Sequence, residues 1–227
     1  GGINLHPSGS LEDMKIDMSG AAAVAATLMT ISNLKPKIRV IGVIPIVENM
    51  PSGTASRPGD IIKSHDGKTI EIGNTDAEGR LILVDAMSYV QKKYKPEIMI
   101  DIATLTGACV VALGEKIAGL FTSDDELADT IIQSSKNTGE RIWRMPLPDD
   151  YKELLKSDTA DMNNISSARW GGAITAALFL SEFVGDTRWA HIDIAGPASI
   201  KKGHDTCDAG GTGFGVRLFC DLIQRLA

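Results

Sequence analysis

Seven consecutive residues, Asn74-Thr75-Asp76-Ala77-Glu78-Gly79-Arg80, gather two carboxylates and a guanidinium at alternate positions. In an extended chain, side chains two apart leave the same face, so Asp76, Glu78 and Arg80 would point together. Their Cβ atoms would stand roughly 7 Å apart, within reach of one shared centre. Converging carboxylates repel unless a cation lies between them. Oxygen donors of this kind suit Mg²⁺, Mn²⁺ or Zn²⁺, and paired ions about 3.5–4 Å apart serve hydrolysis. The small residues Ala77 and Gly79 leave the backbone approachable, so their amides could hold an anion beside Arg80. The same spacing also describes a solvated edge strand with an internal ion pair, and spacing alone leaves both readings open.

Positioning such a segment requires elements around it. Residues 20–34 are small and apolar, a buried helix by composition. Residues 37–47 are rich in β-branched side chains and read as a central strand. A Gly/Pro/Ser-rich loop over 48–60 is long enough to suggest a function or an interface. Strands at 60–64 and 68–72 flank Asp66-Gly67, a hairpin turn signal. An amphipathic helix follows over 81–94 and a buried strand over 97–103. Helices are expected over 124–138, 171–184 and 216–226, with a strand at 189–195. Alternating strands and helices imply one α/β sandwich around a mainly parallel or mixed sheet. Chemistry in such folds sits beyond the strands' carboxyl ends, which nominates the loops after Ile72, Ala103 and Ala195.

Composition narrows the function classes. A net charge of −6 argues against a nucleic-acid surface, and Lys92, Lys93 and Lys95 read as helix-terminal charges complementing the dipole. No run of about 18 apolar residues is evident, so no membrane span is expected. Cys109, Cys207 and Cys220 have no CxxC spacing, which suits a reducing compartment. Among the histidines, His65 beside the turn reads as exposed and His191 as a packed core residue. His204, near Cys207 and Asp208, is a weak metal candidate. The run Gly210-Gly211-Thr212-Gly213 lacks the lysine of a phosphate-binding loop and reads as a helix-start turn.

The whole chain resembles the cytosolic leucine aminopeptidases. The matching segments are GGINLHPSGSLEDMKIDMSGAA, NTDAEGRLILVDA, DIATLTGA, GGAITAALFL, WAHIDIAGPA and GGTGFGVRL, in that order. The resemblance implies a zinc-peptidase-like α/β domain, a mixed central sheet between helices, that releases Leu-like N-terminal residues from peptides. It makes Asp17, Asp76 and Glu78 ligands of two divalent ions, Zn²⁺ or Mn²⁺, with Glu78 bridging them. Asp17 read without it is a carboxylate near the N-terminus of the helix beginning at Gly20. Arg80 is implied to hold a bicarbonate acting as general base, with the amides of Ala77, Gly79 and Leu105 completing that anion site. Met14, Asn74, Thr104, Gly107 and Ala195 fall where the family builds its substrate pocket. A cytoplasmic hexamer is also implied; some bacterial relatives bind DNA, a role this acidic chain does not support.

Two departures qualify the resemblance. The family carries a Lys and an Asp, both metal ligands, just upstream of the two glycines that open this chain, and an N-terminal domain before them. The sequence therefore reads as one catalytic domain over 1–227, cut at its N-terminal side. The family also places a catalytic lysine where this chain has His6, which titrates near neutrality and reaches less far. An impaired domain keeping only fold and assembly is the alternative expectation.

Overall fold

A computed structural model describes residues 12–203, 205 and 207–227. After a 3-10 turn at Glu12–Ile16 come α1 (Ser19–Leu34), β1 (Ile61–Lys63), β2 (Thr69–Glu71), α2 (Gly79–Tyr94) and β3 (Ile98–Ala103). Then follow α3 (Gly107–Leu113), β4 (Ala118–Phe121), α4 (Asp125–Thr138), β5 (Ile142–Arg144), β6 (Met162–Asn163) and α5 (Gly172–Ser181). The chain closes with β7 (Arg188–Asp193), β8 (Ser199–Ile200), β9 (Gly210–Gly211) and α6 (Val216–Leu226).

The main sheet has the order β3-β7-β4-β5 and is mixed. Strands β3 and β7 run parallel in full register from Ile98↔Arg188 to Ala103↔Asp193, β4 is antiparallel to β7, and β5 is parallel to β4. Both central strands are apolar on successive residues because helices cover both faces. On one face Ile102, Ala190 and Ile192 join Ala23 and Ile31 of α1, Leu127 and Ile131 of α4, and Leu218 and Leu222 of α6. On the other, Met99 and Trp189 meet Val84 and Met87 of α2 and Phe179 of α5. This is the helix-sheet-helix sandwich expected from the alternating pattern. Each fully buried Leu or Ile in it contributes about 1.5–3 kcal/mol.

Helix α1 approaches the sheet closely because Gly20 has no side chain. A Cβ there would lie 2.0 Å from the Ile102 carbonyl oxygen. By length and composition alone, the stretch Met14–Leu34 could cross a membrane, contrary to the sequence expectation. Gly20, Ala23, Thr27 and Ile31 are nevertheless buried, forming one stripe packed on β3 and α6.

The β1–β2 hairpin turns at Asp66-Gly67 as expected, with Gly67 at φ 106°. Strand β6 adds parallel to β2, pairing Ile70↔Met162 and Glu71↔Asn163. The stretch before α6 is a turn, with Gly215 as N-cap at φ 100°.

Two further expectations fail. Residues 37–47 form no strand ladder among the described residues. Ile38 and Val40 pack partly against the α1-side core, while Ile46 remains 85% exposed. β-branched composition favours a pleated, half-buried surface, but a ladder needs a neighbouring edge. The signature segment is not extended either: residues 75–76 turn, Glu78 is αR at φ −78°, and α2 begins at Gly79. The alternate-face argument for Asp76, Glu78 and Arg80 therefore does not hold. A helix N-terminus, with Arg80 in its first turn, replaces it.

Candidate active site at the ends of the central strands

Four chain segments meet beyond the carboxyl ends of β3 and β7. They are the turn holding Asp17, the loop 73–80, the loop 104–106 after β3, and the residues after Asp193. Thr104 Oγ1 donates to Asp17 Oδ1 at 2.5 Å, joining the first segment to the third. Leu105 N and Ala195 N both donate to Asp193 Oδ1, at 3.2 and 3.1 Å, and Thr106 Oγ1 donates to Oδ2 at 2.7 Å. Asp193 thus joins the third segment to the fourth. It is 1% exposed, and its three donors satisfy a carboxylate that burial would otherwise penalise. Gly79 lies against Leu105, whose Cδ1 would be 3.7 Å from a Cβ at that glycine.

Asp17 as a residue is exposed, but its carboxylate end is crowded by protein. Its pKa is raised, first by loss of water and further by the Asp76 carboxylate, with the Thr104 hydrogen bond opposing. A carboxylate whose ionisation is opposed by a neighbouring carboxylate has the donor chemistry of a hard-cation site. Glu78 instead acts on Arg80, whose pKa burial pulls down to about 10 while Asp193 and Glu78 push it up. Asp17, Asp76 and Glu78 are not assembled into one cage: among the described residues, no group of three His, Cys, Asp or Glu side chains could hold a metal ion. The fit to a divalent ion therefore rests on Asp17 with Asp76.

Arg80 is 9% exposed and donates from Nη1 to the Asn164 carbonyl at 2.8 Å. Its guanidinium carbon lies 6.0 Å from the Phe179 ring centroid, and its buried Nε has no hydrogen-bond partner among the described residues. Of the three amides expected at an anion site, Ala77 N donates to Asn74 O at 3.2 Å and Leu105 N to Asp193. Those two already have protein acceptors, which the sequence did not anticipate. Gly79 opens α2, where an N–H has no acceptor within its own helix and the dipole favours negative charge.

The expected pocket residues divide. Thr104 and Ala195 sit within the hydrogen-bonded assembly just described. Asn74 lies on its rim, accepting from Asp76 N at 2.9 Å and tied to Asn164. Gly107 heads α3 and is exposed. Met14 is linked through its carbonyl, which accepts from Asp17 N at 2.9 Å. His6 and His204 lie outside the described residues. His65 is exposed, its Nδ1 2.9 Å from Ser88 Oγ. His191 is a core residue, 1% exposed, 2.6 Å from Asp101. Cys109 is no nucleophile: burial, with Asp193 nearby, pushes its thiol up to about 12.

Two polar residues of the assembly were missed by sequence reasoning, Asp193 and Asn164. Asp193 sits in a strand read as apolar, and its carboxylate breaking the run Ile192–Ile194 was the available signal. For Asn164 there was none. Its side chain is recognisable only through partners about 90 residues away.

The model of the cytosol aminopeptidase family, catalytic domain, matches residues 1–220 of the chain. A probable cytosol aminopeptidase of Chlorobium limicola is 54% identical over 226 residues, covering 99% of this chain and 44% of that protein. Similar proteins of the same description come from Chlorobaculum tepidum, 52% identical over 225 residues, and Brucella melitensis biotype 1, 51% over 224. They are covered to 44% and 46% of their lengths, and the chain to 99% in both cases. The chain thus spans somewhat less than half of the curated relatives it matches.

Proposed function

The chain belongs to the cytosol aminopeptidase family, and on that premise we propose that it is the catalytic domain of a metal-dependent aminopeptidase releasing N-terminal residues, Leu-like ones preferred, from peptides in the cytosol. The observation that carries this reading is the hydrogen bond from Thr104 that holds Asp17 at the strand ends, within reach of the Asp76 charge, together with Arg80 buried in the first turn of α2. Asp17 and Asp76 are the groups that would hold a divalent ion, zinc or manganese, with Glu78 added only as the family resemblance implies. When bound, such ions supply an activated water and a Lewis acid for the scissile carbonyl.

The chain's own residues do the rest. Arg80, charged at neutral pH and fixed by the Asn164 carbonyl, would hold an anion such as bicarbonate with the Gly79 amide at the N-terminus of α2. Asp193 offsets the cost of burying that guanidinium and ties down Leu105, Thr106 and Ala195, which with Thr104 would line the substrate's first side chain. Met14, Asn74 and Gly107 complete the lining. An apolar pocket separates Leu from smaller residues by only about 1–3 kcal/mol per methylene, so the preference is one of degree. His6 stands where the family resemblance expects a lysine, and we assign it the corresponding role of donor to the carbonyl oxygen. Residues 1–227 would work as one domain, in a hexamer as the resemblance implies.

The test is hydrolysis of leucine p-nitroanilide with Mn²⁺ or Zn²⁺ added, beside the double variant Asp76→Ala, Glu78→Ala. Metal-stimulated turnover absent from the double variant is the expected result. Turnover equal in both proteins, or none in a parental chain shown to be folded by circular dichroism, would sink the reading.

A further inference from the structure

The loop 73–80 carries most of the charged groups of the site, yet it has neither strand pairing nor a helix over residues 73–78. Its conformation must be imposed from elsewhere, and one side chain does most of it. Asn164, at the end of β6, is 0% exposed. Its Oδ1 accepts from Gly73 N at 2.8 Å and Asn74 N at 3.3 Å. Its Nδ2 donates to Asn74 O at 2.8 Å and Ala77 O at 3.3 Å. The backbone of the same residue donates to Glu71 O at 2.9 Å and accepts from Arg80 Nη1 at 2.8 Å.

A carboxamide offers two acceptor lone pairs and two donors, and here the loop uses all four. Polar groups inside a protein are held firmly only when every member is satisfied, and removing one side leaves the others buried without partners. The bonds flank Asp76 on both sides, at Asn74 and at Ala77, and the Asn164 carbonyl sets the guanidinium of Arg80. One residue therefore fixes the distance between the carboxylate end and the cationic end of the site.

We propose that Asn164 is the positioning residue of this active site, setting Asp76, which would serve a divalent ion, at a fixed separation from Arg80, which would hold an anion. The assignment rests on the aminopeptidase reading for its catalytic consequence, but the clamp itself does not. Asn164→Ala deletes all four side-chain bonds. Asn164→Asp keeps the two acceptor bonds and turns an oxygen toward the carbonyls of Asn74 and Ala77.

The experiment compares the parental chain with both variants in three measurements. Amide hydrogen exchange of the metal-free protein reads the loop. Mn²⁺ binding, followed by loss of the free-ion electron paramagnetic resonance signal, reads the site without turnover. Steady-state hydrolysis of leucine p-nitroanilide separates kcat from KM. Faster exchange confined to residues 73–78, Mn²⁺ affinity weakened about 10–100-fold, and kcat lowered by a similar factor at nearly constant KM are expected. If Asn164→Ala does not fold, Asn164→Asp carries the same readouts, with the same result expected. Exchange accelerated in the loop while Mn²⁺ affinity and kcat stay at parental values would reduce Asn164 to a structural residue and overturn the proposal. Unchanged exchange in both variants would overturn it too. Should the parental chain bind Mn²⁺ but cleave nothing, the function reading fails while exchange and Mn²⁺ binding still decide on Asn164.

Discussion

Two acidic environments, one inside strands β3 and β7 and one on the loops beyond their carboxyl ends, live under opposite electrostatic conditions. Inside the sheet, Asp101 accepts from Trp189 Nε1 at 2.8 Å and lies 2.6 Å from His191 Nδ1, directly across the β3–β7 register. Every charge there has an opposite or a donor, and Phe121 stacks on the imidazole at 5.8 Å. At the strand ends, Asp17 feels the charge of Asp76, one of its own sign. Asp193, two residues along β7 from His191, stands between: its donors are amides and a hydroxyl, and its charge reaches Arg80. The interior set holds the fold together. The rim set works against it and is retained for what it can bind, the usual signature of a functional cluster.

The sharpest way to break this comparison is to remove one member from each side. Asp101→Ala leaves the His191 ring and the Trp189 indole without their partner in the core, and should cost about 3–5 kcal/mol in urea unfolding. Asp76→Ala should do the reverse, lowering aminopeptidase turnover about 10²–10³-fold while the unfolding free energy stays within about 0.5 kcal/mol. Gly20→Ala should couple the two regions. The added methyl drives α1 from Ile102, costs about 1–3 kcal/mol by thermal unfolding, and moves Asp17 away from Thr104, so turnover falls with it.

The pH dependences are smaller. Burial alone would lower the His191 pKa, but the Asp101 charge and hydrogen bond, with Asp193, raise it above its ordinary 6.5. Its contribution to stability is therefore complete below about pH 6.5 and is lost as pH rises through the raised value. Urea midpoints of the parent should fall across that window, and those of Asp101→Asn should be flatter. The smallest effect belongs to Asp17→Asn. Because the Asp17 pKa is raised in the folded state from 3.8, its ionisation opposes folding above that value. The amide should give a slightly higher melting temperature at neutral pH, a gain that disappears in acid, together with loss of metal-dependent activity.

Much of the architecture was legible from residue order because its signals are local. Period-2 and apolar runs marked β3 and β7. Asp124 marked the start of α4, where its carboxylate caps Leu127 N at 2.9 Å. Asp66-Gly67 marked the hairpin. The short elements α3 and β4 escaped, too brief for a period to emerge. Residues 37–47 misled because strand composition describes a preference, whereas a strand is a pairing between segments.

The chemistry divides along the same line. Which side chains could act at residues 74–80, and which family carries them in that order, are properties of the chain read in sequence, since they depend on identity and spacing alone. That Asp17 lies within reach of the Asp76 charge, that Arg80 is buried over Phe179, and that Asn164 and Asp193 hold the loops are properties of the folded state. Each joins residues some 59 to 113 positions apart, and such contacts exist only after the sheet has brought the strand ends together.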